Sequence, residues 1–207
     1  MHPTHLASAS LSFTIRSVAR LSRKFYNRPT LEVARDLLGQ RLVRLWRGQR
    51  LAGLITEVEA YIGQTDLACH ARFGRTPRSE VMFGAPGHAY VYLTYGMHWM
   101  LNCVTEANGF PAAVLIRAIH PVEGVDRMRR HRSRPDKILT NGPAKLTQAL
   151  DITKDFNGHN LGAPDATLFI ERAPVVPDSA IVRGPRVGLG ATPEPWLSQP
   201  WNFRVYL

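Results

Sequence analysis

The sequence predicts an α+β fold: a single domain built on a mostly antiparallel sheet, with flanking helices and a protruding β-hairpin. Three observations carry this prediction. Apolar segments recur at Arg41 to Trp46, Leu51 to Ile62, Ala89 to Tyr95, His98 to Thr105 and Ala112 to Ile119, separated by turns that bear Gly or Pro. Helical signals are confined to three short stretches around that block. The chain has 207 residues, 44% of them hydrophobic, and shows no internal repeat, which suits one core rather than two.

Taken in order, residues 1–22 contain no acid, many Ser, and Arg16 and Arg20. They are read as a disordered arm, although an organellar transit peptide or a start codon placed too early would look the same. Residues 23–207 form the domain. Its first helix runs from Leu31 to Leu38, with Thr30 as cap, Glu32 at the positive end and Gly39 as stop. The five strands follow. A second helix is expected to start near Pro121 and end in the cluster Arg129 to Arg134, and a third to run from Pro143 to about Leu150. Short strands are expected at Ala166 to Glu171, Arg186 to Leu189 and Asn202 to Leu207.

Composition narrows the function. The formal charge of +10 comes mostly from arginine, the only lysines being Lys24, Lys137, Lys145 and Lys154. Arginine's planar fork suits phosphate, so a polyanionic partner is favoured. No apolar run approaches the roughly 18 residues of a membrane span. Cys69 and Cys103 are too few for a disulfide framework and have no metal-ligand spacing, which fits a reducing compartment. His70 adjoins Cys69, but His88, His98, His120 and His131 have no partner at ligand spacing, so neither a metal nor another cofactor is expected.

In Leu51 to Ile62, strict alternation puts Leu54, Thr56, Val58, Ala60 and Ile62 on one face and Ile55, Glu57, Glu59 and Tyr61 on the other. Glutamates in strands are ordinarily solvated. The strand Ala112 to Ile119 changes that reading, because it is apolar except for Arg117, and a buried guanidinium needs an acceptor. Glu59 or Glu57 is the natural partner. A carboxylate held in this way is a base rather than an acid. The segment Gly87 to Asn102 alternates on both sides of Gly96 and reads as a hairpin with Tyr95 and Met97 at its tip. An aromatic tip either packs under another loop or acts as a wedge between base steps.

The stretches Glu57-Val58-Glu59-Ala60-Tyr61-Ile62-Gly63, Arg75-Thr76-Pro77-Arg78, Val81-Met82-Phe83-Gly84, Pro86 to Met97, Val114-Leu115-Ile116-Arg117-Ala118 and Asn141 to Leu146 closely resemble the alkyladenine (3-methyladenine) DNA glycosylase family. They stand in the family's order and spacing, from about Leu21 to Gly190. The resemblance implies an enzyme that flips a damaged purine out of duplex DNA and hydrolyses its N-glycosidic bond with an activated water. It implies Glu59 as general base, with Arg117 and the backbone carbonyl of Val187 helping to hold the water. Tyr61, His70, Tyr92 and Asn102 would form the base pocket, Tyr95 would intercalate, and Met97 would sit beside it in the groove.

The same resemblance implies a monomer acting on double-stranded DNA that contains damaged purines such as 3-methyladenine, 7-methylguanine, hypoxanthine or ethenoadenine. It would work in the cytoplasm at the nucleoid of a bacterium, or in a eukaryotic nucleus, with no membrane attachment. No strand cutting is expected, since Lys145 is not a nucleophile in the family. Two features depart from the pattern: the basic stretch Arg127 to Arg134, and the end at Asn202 to Leu207, where the family usually continues with a short tail. The competing reading is a noncatalytic lesion or minor-groove binder on the same scaffold. A binder gains nothing from a carboxylate that repels phosphate, so Glu59 favours the enzyme. An RNA-binding module is disfavoured by the lack of an RNP-like aromatic motif.

Overall fold

The computed structural model describes residues 19–206. The expected arm lies mostly outside them. The part of it that is described belongs to the fold: Arg20 bridges to Glu171, and Leu21 is buried with its N–H donating to Ile170 O at 2.8 Å. Among the described residues, eight strands make one antiparallel sheet: β1 Arg41–Trp46, β2 Gln49–Ile62, β3 Ala89–Thr94, β4 His98–Val104, β5 Ala112–Glu123, β6 Leu168–Glu171, β7 Val182–Gly184 and β8 Asn202–Arg204. The main order is β3-β4-β5-β2-β1-β6, and β8 pairs with both β2 and β7. Four helices flank it, α1 Arg23–Tyr26, α2 Thr30–Leu37, α3 Val125–Arg132 and α4 Pro143–Ala149.

The long strand β2 organises the sheet. One edge pairs with β5 from Ala52 to Ile62; the other pairs first with β1 and then, at Glu57 to Glu59, with β8. The two faces have different tasks. Val33, Leu37, Ile116, Met128 and Leu146 join one main core with Val91 and Leu101, and each such side chain contributes about 1.5–3 kcal/mol on burial. The alternate residues of β3, β4 and β5, among them Tyr92, Asn102 and Arg117, point the other way and line a cleft.

Strict alternation fails in β2. Ile55 pairs with Ile119, Glu57 with Ala118 and Val58 with Ile116, so Thr56 is an extra residue on β2 and Arg117 an extra residue on β5. The Thr56 bulge reverses the side-chain parity: Ile55 packs in the main core with Val58 and Ala60 and does not share a face with Glu57, Glu59 and Tyr61. The Thr56 carbonyl accepts from Val205 N–H at 2.9 Å.

Three other expectations are corrected. Pro121 does not start a helix; β5 continues through it to Glu123, with Pro121 next to a register shift that spares it a ladder bond. The helix waits for Gly124, whose φ of +68° and contact with Leu51 and Arg50 leave no room for a Cβ. The segment Arg186 to Leu189 is not a strand. Pairing there ends at Gly184, and Gly188 turns at a φ of +78°. Thr30 lies inside α2 rather than capping it, and the end is capped from afar by Glu106, whose Oε1 accepts from Thr30 N–H at 2.6 Å and from its hydroxyl at 2.8 Å.

Candidate active site

On the face opposite the main core lies a cleft of about 460 Å³. Its wall includes Tyr61 from β2, Tyr92 from β3, Asn102 from β4 and Arg117 from β5. A short 3-10 helix that begins at His70 and the loop that carries Val187 complete it. The sheet's own alternation thus assembles the expected residues from four strands.

Glu59 sits behind this wall, fully buried. A carboxylate taken out of water must fill its lone pairs with donors, and Glu59 does so with four. Val187 N–H donates to Oε1 at 2.6 Å and Asn202 Nδ2 to the same atom at 3.1 Å. Tyr61 OH donates to Oε2 at 2.9 Å and Arg117 Nη1 at 3.2 Å. Both acids proposed as partners of Arg117 are used, because Nε donates to Glu57 Oε1 at 3.0 Å. The bulge explains the aim: as the unpaired residue of β5, Arg117 turns across to β2. Burial works against the Arg117 charge, but Glu59 and Glu57 outweigh it and raise its pKa, so the guanidinium stays protonated. At Val187 it is the amide N–H that meets Glu59.

The aromatic wall is neutral. His70 Nδ1 lies 2.9 Å from Tyr90 OH, and its ring stands edge-on to Tyr92 with centroids 4.6 Å apart. Burial, reinforced by Arg78 and Arg72, lowers His70 from 6.5 to about 4, so the imidazole carries no charge at neutral pH. Burial pushes the Tyr92 hydroxyl up to about 12, and burial with help from Glu59 also holds that of Tyr61 well above its ordinary value. Asn102 is buried, with Nδ2 donating to Tyr90 O at 3.0 Å.

At the mouth, β3 and β4 pair from Ala89↔Cys103 to Thr94↔His98, and Tyr95 and Gly96 make the turn. Both have positive φ, +50° and +69°, and Met97 N–H closes the turn onto Thr94 O at 3.1 Å. This is the turn that favours Asn-Gly, and a tyrosine at its first position is strained. Tyr95 borders the cleft yet is 84% exposed, and Met97, beyond the cleft lining, is 67% exposed.

Several supporting residues escaped sequence reasoning. Arg186 and Asp66 form a fully buried pair, Nη1 to Oδ2 at 2.6 Å and Nη2 to Oδ1 at 2.9 Å. Arg186 also donates to Ala60 O at 3.0 Å and lies between the rings of Tyr61 and Trp201. It pins the segment that brings Val187 to Glu59. Arg78 lies over the Tyr92 ring, 4.9 Å from its centroid, and donates to Leu93 O at 3.1 Å. Asn202, at the start of β8, reaches both Glu57 and Glu59. The only available signal was a polar residue among apolar neighbours, as in Trp201-Asn202-Phe203. Among the described residues, no group of three His, Cys, Asp or Glu is arranged to hold a metal, and no helix is long and apolar enough to cross a membrane.

The class of protein that carries this buried carboxylate and aromatic, arginine-edged cleft, a DNA repair glycosylase, is given by comparison with known proteins. The family model described as methylpurine-DNA glycosylase matches residues 24–206. A relative from Methanocella arvoryzae, 51% identical over 185 residues covering 88% of this chain and 90% of its own, carries the name of a 3-methyladenine DNA glycosylase. One from Myxococcus xanthus with the same name is 48% identical over 185 residues, 89% of each chain. The chain belongs to the methylpurine-DNA glycosylase family.

Proposed function

We propose that this chain is a monofunctional glycosylase that takes damaged purines out of duplex DNA and releases them by hydrolysis. One observation carries the reading: Glu59, fully buried and held by four donors, stands directly behind the wall of an aromatic cleft with Tyr95 exposed at its mouth. The everted purine would stack against Tyr61, Tyr92 and His70, whose neutral rings accept a base made cationic by alkylation. Asn102 would exclude the 2-amino group of an ordinary guanine by its bulk. Tyr95 would fill the gap left in the helix, with Met97 beside it in the groove.

As the glycosidic bond breaks, its electron pair leaves with the base and the sugar approaches an oxocarbenium ion. Water adds to C1′ and its proton passes to Glu59, which also stabilises the developing positive charge. The water would reach Oε2 from the cleft by taking the place of the Tyr61 hydroxyl, while Arg117, Asn202 and Val187 N–H keep the carboxylate fixed. An alternative lyase step needs an amine. Among the described residues the cleft lining contains no lysine, and Lys145 Nζ is occupied with Asn141 Oδ1 at 2.7 Å. The test is incubation with duplexes carrying one hypoxanthine or one 7-methylguanine. The reading expects alkali-labile abasic sites, equal with and without EDTA, and intact strands before alkali. Tight lesion binding without abasic sites would instead identify a binder.

A further inference from the structure

Glu59 is half of a pair, and the second acid has its own role to explain. Glu57 Oε1 and Glu59 share Arg117, but one guanidinium in direct contact leaves the two carboxylates one positive charge short. Like charges this close would separate or take up a proton unless further donors hold them. Asn202 supplies those donors. It is fully buried, and Nδ2 lies 2.7 Å from Glu57 Oε1 and 3.1 Å from Glu59 Oε1. A primary amide carries two N–H bonds, one for each acid. Its Oδ1 accepts from Arg204 Nε at 3.2 Å, so the network is satisfied only with the nitrogen toward the acids. The strand register sets the position, because Asn202 stands opposite Glu59 across the β2–β8 ladder.

We propose that Asn202 is a positioning residue for the reaction: it divides its two N–H donors between Glu57 and Glu59, holding the two carboxylates at a fixed spacing and orientation so that Glu59 can act as base. The inference rests on the reading of Glu59 as base. A lysine here would also satisfy the acids, but its charge would weaken the base; a neutral double donor holds the carboxylate without that cost. Around Glu57 and Glu59 stand Tyr61 on their own strand, Tyr92 on β3, Arg117 on β5, Asn202 and Arg204 on β8, the latter opposite Glu57, and the Val187 N–H. Of the side chains, Asn202 is the one that touches both carboxylates without carrying charge.

Asn202→Asp keeps the shape, removes both donors and adds a third anion. Single-turnover excision of a lesion duplex should show an acidic limb moved to higher pH by about one unit or more, with most of the rate recovered on the alkaline side. Asn202→Ser, which retains one donor, should move the limb less. Should the Asp variant fail to fold, the Ser variant decides. A uniform loss at every pH, tracking a lower melting temperature, or an unmoved limb in a folded variant, would overturn the assignment. Glu59→Gln is measured alongside: excision retained in that variant would refute the base itself, whereas its loss together with an unmoved Asn202 limb would refute the positioning role alone.

Discussion

At the scale of single residues, charge states follow from neighbours more than from residue type. His70 shows it. Its imidazole is packed with Tyr90 and Tyr92 and faces Arg78 and Arg72, so the folded protein resists the proton that the unfolded chain accepts near 6.5. Between 6.5 and about 4 the unfolded state therefore binds more protons, and stability must fall as pH drops through that window. His70→Gln should flatten this part of the profile. The check is the urea midpoint of both proteins at either end of the window; parallel slopes would show that His70 is freely solvated. On the proposed reading the same neutrality suits the pocket, since an imidazolium there would oppose a cationic base.

At the scale of elements, the proposed wedge sets stability against use in the hairpin turn. Tyr95 holds a left-handed conformation that asparagine adopts with less strain, and nothing lies within 4 Å of a Cβ built on the following Gly96. Tyr95→Asn should leave the melting temperature equal or raised, while excision from well-paired duplex falls and excision from single strands falls much less. Single-turnover rates on matched duplex and single-stranded substrates measure this, and an equal loss on both would show that Tyr95 shapes the pocket instead. The hairpin was legible because alternation resumes on both sides of a Gly. The Arg117–Glu59 contact was legible because Arg117 is the one charge in the apolar run Ala112 to Ile119. The Thr56 bulge was not, since nothing in a local pattern marks an extra residue whose cause is the partner strand. Nor was the Arg186–Asp66 pair, 120 residues apart, which only the closed fold brings together.

At the scale of the whole molecule, that pair ties the second loop of the cleft to the sheet. Asp66 accepts from Ile62 N–H and Ala68 N–H as well as from Arg186, at 3.2 and 3.0 Å. Arg186→Met leaves a buried carboxylate without its cation and should cost about 3–5 kcal/mol. The double variant Arg186→Met, Asp66→Leu should recover part of the loss, and thermal unfolding of both compares them; equal losses would show that the pair is not coupled. Through Val187 the single variant should also slow excision. The central claim, that a carboxylate buried behind the cleft activates the water, is tested most directly by Glu59→Gln. A glutamine keeps the shape, though its amide must face donors, so a modest drop in melting temperature is expected. The measurement is the single-turnover rate of hypoxanthine release from a duplex that the variant still binds. The prediction is a fall of about 10²–10⁴ with lesion binding retained. A rate within about threefold of wild type, on the same scale, would contradict the account.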